Sequence, residues 1–183
     1  IAGLLLNTLM DTYAVPVTVA VALIVGGFIL LWAEVRFAKH AHDTKLDLVS
    51  ITPRQAFGIG LAQMFALVPG VSRSGATIVG GMFAGLNRVT AAAFSFYLAL
   101  PILGLASLYK IVKDYSAITQ LPGGIPALLV GTVAAFISAL LVVGWLIKYI
   151  SRHDFKPFAY YRIALGTVLL LLVATGVLAN SLA

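Results

Sequence analysis

The sequence contains no cysteine. That excludes a disulfide framework, a thiolate nucleophile and any Cys-ligated metal. Charge is almost as scarce. Lys and Arg number 12, Asp and Glu 6, and charged residues make up 10% of 183, against about 25% in an average soluble domain. Glu34 is the only glutamate. A soluble globule of this size needs far more polar surface than this. Disorder is excluded as well, because 61% of residues are apolar and the mean hydropathy is +1.06. An integral membrane protein remains.

The few charges divide the chain. From Thr12 to Ala33 the only ionisable side chain is that of Tyr13. As a helix this run is about 33 Å long, enough for a hydrocarbon core of about 30 Å. Trp32 stands at its end, where an indole prefers the interface. No basic segment precedes it, so it reads as a retained span and not a signal peptide. Three further runs, 89–109, 125–147 and 163–183, are also long enough to span. Pro101 predicts a kink in the second of the four.

Residues 34–54 form a loop, and 53–87 read differently. Gln55–Val68 is apolar, Pro69-Gly70 breaks it, and Ser74–Leu86 is apolar again. Each arm reaches only about 20 Å as a helix, too short to span comfortably. A re-entrant helix pair fits. Thr52-Pro53-Arg54-Gln55 supplies the start signal of its first arm. Gly81 and Gly85 form a small-xxx-small pair for close packing. If the hairpin returns to the side it entered, Arg36, Lys39, Lys45, Arg54, Arg88, Lys148, Arg152, Lys156 and Arg162 share one side. Lys110 and Lys113 lie on the other. The positive-inside rule then makes the nine-charge side cytoplasmic and puts the C-terminus outside.

The hairpin tip carries the chemistry. It reads Pro69-Gly70-Val71-Ser72-Arg73-Ser74-Gly75-Ala76-Thr77. Arg73 is the only charge between Arg54 and Arg88. An arginine inside an apolar stretch costs about 2.5–3.5 kcal/mol on insertion scales and needs a partner or a wet cavity. Ser72 or Ser74 caps the second arm, whose first N–H groups are free to bind an anion. Gly75 leaves them accessible, Arg73 adds a guanidinium fork, and Ser72, Ser74 and Thr77 add hydroxyls. One multivalent anion, a pyrophosphate above all, suits this set.

At these residues the chain resembles the undecaprenyl-pyrophosphate phosphatases, the bacitracin-resistance membrane phosphatases of bacteria. Pro69–Thr77 matches the family's Pro-Gly-x-Ser-Arg-Ser-Gly-Ala-Thr motif. Gln63, Phe94-Ser95-Phe96, Pro101, Pro157-Phe158-Ala159 and Tyr161-Arg162 match around it. The resemblance implies an all-α integral membrane fold: four transmembrane helices plus one re-entrant hairpin, half of an inverted-repeat architecture. It implies hydrolysis of undecaprenyl pyrophosphate to undecaprenyl phosphate and phosphate, which recycles the lipid carrier of peptidoglycan synthesis in the bacterial plasma membrane. It makes Arg73 the pyrophosphate-binding arginine and puts Ser72 and Thr77 in the site; together with the reading of the tip residues, Arg73 and Ser72 are expected to be catalytic and Ser74, Gly75, Ala76, Thr77 and Gln63 to bind substrate. The charge count brings this hairpin in from the cytoplasm, whereas the family is taken to work at the outer face. Two inverted repeats whose tips meet near the midplane reconcile the two.

One departure matters. The family's other hairpin supplies two glutamates four residues apart and a serine-rich stretch with the nucleophile, and no Glu-x-x-x-Glu occurs here. The chain is therefore expected to be about the C-terminal two-thirds of a longer protein, inactive alone, with the missing N-terminal segment as its partner. The other expected partners are the polyprenyl pyrophosphate and the bilayer; a homodimer is left open, and no nucleic acid is expected. No cofactor is expected in this chain, and a divalent cation, Mg²⁺ or Ca²⁺, is left open for the full enzyme. Glu34 reads as interfacial, and Asp43, Asp47, Asp114 and Asp154 as solvated loop charges. His40 and His42 are two apart, poor spacing for a metal. Tyr160, Tyr161 and Arg162 read as interface anchors. The alternative function is a lipid-phosphate flippase or anion transporter, since broken helices that aim N-termini at anions also describe carriers.

Overall fold

The computed structural model describes residues 14–37, 46–120 and 123–179. His40, His42 and Asp43 lie outside the described residues. Among the described residues the fold is entirely helical. Helix α1 is Pro16–Arg36, α2 Pro53–Gln63 with a 3₁₀ turn at Met64–Leu67, α3 Arg73–Phe83 and α4 Arg88–Lys113. A short α5, Tyr115–Gln120, leads to α6, Gly124–Ile150, and α7, Lys156–Ala174. Four of these, α1, α4, α6 and α7, are long and apolar enough to cross a membrane. Helix α4 runs through Pro101 without interruption. Helix α7 begins well before the uncharged run at Ile163, because a helix continues through charged residues where an apolar run ends. Pro157 suits its first turn.

Local chemistry sets the helix ends. Thr52 and Gln55 form a reciprocal capping box at α2: the Gln55 N–H donates to Thr52 Oγ1 at 3.3 Å and the Thr52 N–H to Gln55 Oε1 at 2.9 Å. Helix α3 ends in a Schellman motif. The Leu86 N–H donates to the Gly81 carbonyl and the Gly85 N–H to the Met82 carbonyl. Gly85 supplies the left-handed residue at φ +88° and has open space where a Cβ would be. It therefore shapes the turn and does not pack. Gly81 alone makes the close approach, 2.8 Å from a virtual Cβ to Ala91 of α4.

Helices α2 and α3 are antiparallel. Gln55 Nε2 donates to the Ala84 carbonyl at 2.9 Å and closes the base of the pair. At this base Phe83 packs on Trp32 and Phe37, with ring centroids 5.2 and 4.9 Å apart. At the tip Gly70, at φ +89°, lies on the backbone of Val19 and against Ala22. From Trp32 to the Val19–Ala22 level, α1 rises about 15–20 Å. The hairpin thus lies along about half to two thirds of α1 without matching its length.

Helices α1 and α7 pack antiparallel at close range. A Cβ on Gly27 would meet Ile163 at 2.6 Å, and one on Gly166 would meet the Ala20 carbonyl at 2.7 Å. One buried carboxylate joins the ends of three segments. Glu34, 3% exposed, accepts from Arg88 Nε at 2.9 Å and also from Arg88 Nη2. Its Oε1 accepts the Phe155 N–H at 2.9 Å as well. Glu34 is therefore a structural tie and not an interfacial charge. The same end gathers Arg36, Arg54, Lys148, Arg152 and Lys156, while Lys110 and Lys113 lie at the far end of α4. Arg162 is no loop charge: it sits inside α7, about 9 Å beyond Lys156.

Candidate functional site

The tip of the hairpin is a broken helix whose second arm starts with an open end. Ser72 is the N-cap of α3, its Oγ accepting the Gly75 N–H at 3.1 Å, and it lies 3.2 Å from Ser74 Oγ. The Ala76 N–H donates to the Ser72 carbonyl. Among the described residues the N–H groups of Arg73 and Ser74 have no partner in the protein. They are free donors at the positive end of the helix dipole.

A second guanidinium reaches this end from α7. Arg162 Nη2 donates to the Gly70 carbonyl at 3.2 Å and to the Ala22 carbonyl at 3.4 Å. A Cβ on Gly75 would stand 3.7 Å from Arg162 Nη1, and one on Gly26 2.5 Å from Arg162 Nη2. The glycines make room for the guanidinium. Arg162 Nε is buried with no hydrogen-bond partner. Relative to Glu34, Gly26 lies about 12 Å along α1, close to the middle of that helix. The charge is therefore at depth.

These groups form one end of a cavity of about 760 Å³, within the usual ligand-pocket range of about 300–1,000 Å³. Ser72, Ser74, Gly75, Ala76 and Arg162 line its polar end. The remaining lining is apolar or aromatic, including Ile29, Phe65, Phe83, Phe155 and Phe158. Arg162 is its single charged residue.

The predicted site residues divide. Ser72, Ser74, Gly75 and Ala76 line the cavity. Arg73 is the first residue of α3, exposed, outside that lining and without an ion pair among the described residues. Thr77 is buried behind the terminus: its Oγ1 donates to the Arg73 carbonyl at 3.0 Å and lies 2.6 Å from Ser95 Oγ of α4. Gln63 ends α2 at the tip end of the hairpin, outside the lining. Arg162, read from sequence as an interface anchor, is the residue that reasoning missed. Its partner Gly70 lies 92 positions away. Two signals were available: an arginine inside what continues as an apolar helix, and the match of Tyr161-Arg162 to the family pattern.

The lining holds no carboxylate or imidazole. It does not offer the carboxylate oxygens that Mg²⁺ or Ca²⁺ takes, and among the described residues no group of three His, Asp or Glu could hold a metal.

The family description "Bacitracin resistance protein BacA" matches residues 1–168. The chain belongs to the BacA family. It is 51% identical over 162 residues to "Undecaprenyl-diphosphatase 1" of Burkholderia cenocepacia, covering 88% of this chain and 58% of that protein. It is 45% identical over 171 residues to "Undecaprenyl-diphosphatase 1" of Burkholderia thailandensis, covering 93% and 61%. It is 50% identical over 157 residues to "Undecaprenyl-diphosphatase" of Herminiimonas arsenicoxydans, covering 85% and 56%. The chain spans about three fifths of the length of these BacA relatives. Together with the four long apolar helices, membership makes it a multi-pass membrane protein.

Proposed function

We propose that this chain supplies the diphosphate-binding part of an undecaprenyl-diphosphate phosphatase that hydrolyses undecaprenyl pyrophosphate to undecaprenyl phosphate and phosphate, returning the carrier lipid to peptidoglycan synthesis. The observation that carries the reading is the cavity: a helix N-terminus, two hydroxyls and a guanidinium at one end, apolar walls elsewhere. An amphiphile with an anionic head has this pattern. The names of the BacA relatives support the same chemistry, and none of those quoted names a carrier.

In this reading the free N–H groups of Arg73 and Ser74, the Ser72 and Ser74 hydroxyls and Arg162 hold the diphosphate. Gly75 and Ala76 let it approach the backbone. Arg73 lies on the exposed side of the same terminus and closes on the head group there. Thr77 acts by fixing the terminus through Ser95, and Gln63 stands at the tip beside it. Phosphoryl transfer also needs a nucleophile and proton-transfer groups, and the cavity lining has no carboxylate or imidazole for the latter. These come from a segment outside this chain. The nucleophile attacks the distal phosphorus, the bond to the bridging oxygen breaks and the lipid monophosphate leaves; water then attacks the same phosphorus, breaks its bond to the nucleophile and releases phosphate. The guanidiniums stabilise the charge that develops.

The α2–α3 pair is a re-entrant hairpin, entering from the basic end and turning near the midplane. That end is cytoplasmic by the positive-inside rule, and the C-terminus is outside. The test is phosphate release from undecaprenyl diphosphate by the full-length membrane protein. Charge-assisted hydrogen bonds are worth about 1.5–3 kcal/mol, so Arg73→Lys and Arg162→Lys should each lower kcat/KM roughly 10- to 100-fold. Wild-type turnover in both variants would overturn the clamp, and a wild-type protein that releases no phosphate would overturn the hydrolase.

A further inference from the structure

The apolar part of the cavity has a direction. It follows α3 from Gly75 at the polar end to Phe83 and Ala84 at the base, about 12 Å. Its other walls are Ile29 of α1, Gly58 and Ala62 of α2, and the corner between α6 and α7 with Ile150, Phe155 and Phe158. With Arg162 as the single charge, an occupant that carries its negative charge at one end has one favourable orientation. Its anionic head meets the helix terminus and its apolar body lies along α3 toward the basic end.

Gly58 is singular in this wall. It lines the cavity, yet a Cβ built on it meets nothing within 4 Å. It lies inside α2 at an ordinary helical φ. By contrast a Cβ on Gly80 would come within 2.6 Å of Ala62. Gly80 is needed for packing the two arms, and Gly58 is not. A glycine in a helix interior costs about 0.5–1 kcal/mol relative to Ala, and packing does not account for it at Gly58. Gly58 is exposed and stands at the open side of the trough, at the level of Gly80 to Phe83, about 8–12 Å from the α3 terminus.

We propose that this trough seats the head-proximal isoprene units of the lipid, and that Gly58 is a specificity-determining position that keeps the trough open for a long tail. The inference rests on the phosphatase reading for the head group and adds where the tail lies. The rest of a long tail leaves the trough sideways into the hydrocarbon, before the base of the hairpin reaches the interface.

Two measurements test it on the full-length protein. The first is the ratio of kcat/KM for undecaprenyl diphosphate to that for dimethylallyl diphosphate, whose single isoprene unit ends short of Gly58. The Cβ of Gly58→Phe meets nothing within 4 Å, so a ring is accommodated at the trough wall and this ratio should fall at least about tenfold, mainly through KM for the long substrate. An unchanged ratio overturns the proposal. The second needs no turnover: a polyprenyl diphosphate bearing a diazirine on its third isoprene unit is photolysed with the wild-type protein. Labels on Phe83, Phe155 or their neighbours support the trough. Labels confined to the outer faces of α4 and α6 overturn it. Labelling of the trough by a protein that releases no phosphate would remove the hydrolase reading and keep the tail site. Phosphate release without trough labelling would do the reverse.

Discussion

Replacement of Glu34 by Ala should be among the most destabilising single changes in this chain. The Glu34 and Arg88 side chains are 2% and 13% exposed and meet through both carboxylate oxygens. Removing one partner of a buried pair costs about 3–5 kcal/mol, because the other charge stays buried without compensation. The same change strips the acceptor from the N–H of Phe155, itself 4% exposed, a loss of about 1–3 kcal/mol by itself. The two losses share one carboxylate and do not simply add. A total of about 4 kcal/mol corresponds to a fall in Tm of about 10 °C for a chain of this size. Replacing both partners, Glu34→Leu with Arg88→Met, removes the stranded charge and should recover most of that fall. Thermal unfolding in detergent micelles, followed by tryptophan fluorescence, measures both variants. A drop below about 3 °C for Glu34→Ala, under about 1 kcal/mol, would refute the claim that this carboxylate joins α1, α4 and the α6–α7 corner. So would a double variant no more stable than the single one.

Gly70→Ala would place a Cβ 2.6 Å from the Val19 carbonyl oxygen at a φ of +89°. The left-handed backbone alone costs about 1–2 kcal/mol, and the tip must also leave α1, so Tm and phosphate release should fall together. Asp154, hydrogen-bonded to Lys156 at 2.8 Å, has its carboxyl held below the ordinary 3.8, chiefly by that hydrogen bond. Its contribution is present above pH 3.8 and lost as pH falls through the lowered value. Asp154→Asn should flatten the acid limb of stability by no more than about 1 kcal/mol, since the pair is partly exposed, as read by Tm against pH. The 183-residue chain alone should release no phosphate above background, and co-expression with a segment bearing the acidic pair should restore release. Turnover by the chain alone would contradict the division of the site.

Features legible in the sequence were those whose partners are close in the chain. The Thr52–Gln55 box and the Ser72 cap on Gly75 each close over three residues, and the types at those spacings leave few alternatives. The four long helices were legible as lengths without charge. The ties that place the site were not. Glu34 finds partners 54 and 121 positions away, and Arg162 meets Gly70 across 92. No local spacing records such distances. Arg162 was also hidden by the counting itself. An apolar run starts after its last charge, so the arginine reads as an interface anchor ahead of the span although α7 begins at Lys156. Arg73 was recognised as a charge in an apolar setting. Its side-chain direction depends on how α3 rotates against α1 and α4, which a single segment does not encode. Gly85 was read for packing because spacing alone cannot separate a packing glycine from one that ends a helix.

The two arginines of the proposed diphosphate site are held in opposite ways, and this determines what each can do. Arg162 is fixed before any ligand arrives. Two backbone carbonyls take its Nη2, Gly26 and Gly75 give it space, and Nε is left buried and unpaired. Backbone carbonyls orient a guanidinium but leave its net charge uncancelled, and no carboxylate shares the cavity lining. A charge held at depth with unused donors favours an anion strongly, because little reorganisation remains to be paid on binding. Arg73 has no such constraint, and its side chain is free to follow a ligand. A diphosphate bound at the α3 terminus would therefore find one fixed and one adaptable guanidinium. The fixed one determines where the head sits. The adaptable one gains most when charge develops on the departing oxygen, so Arg73 variants should lower kcat more than they raise KM, and Arg162 variants the reverse. If the two substitutions moved kcat and KM in the same proportion, this division of labour between them would be wrong.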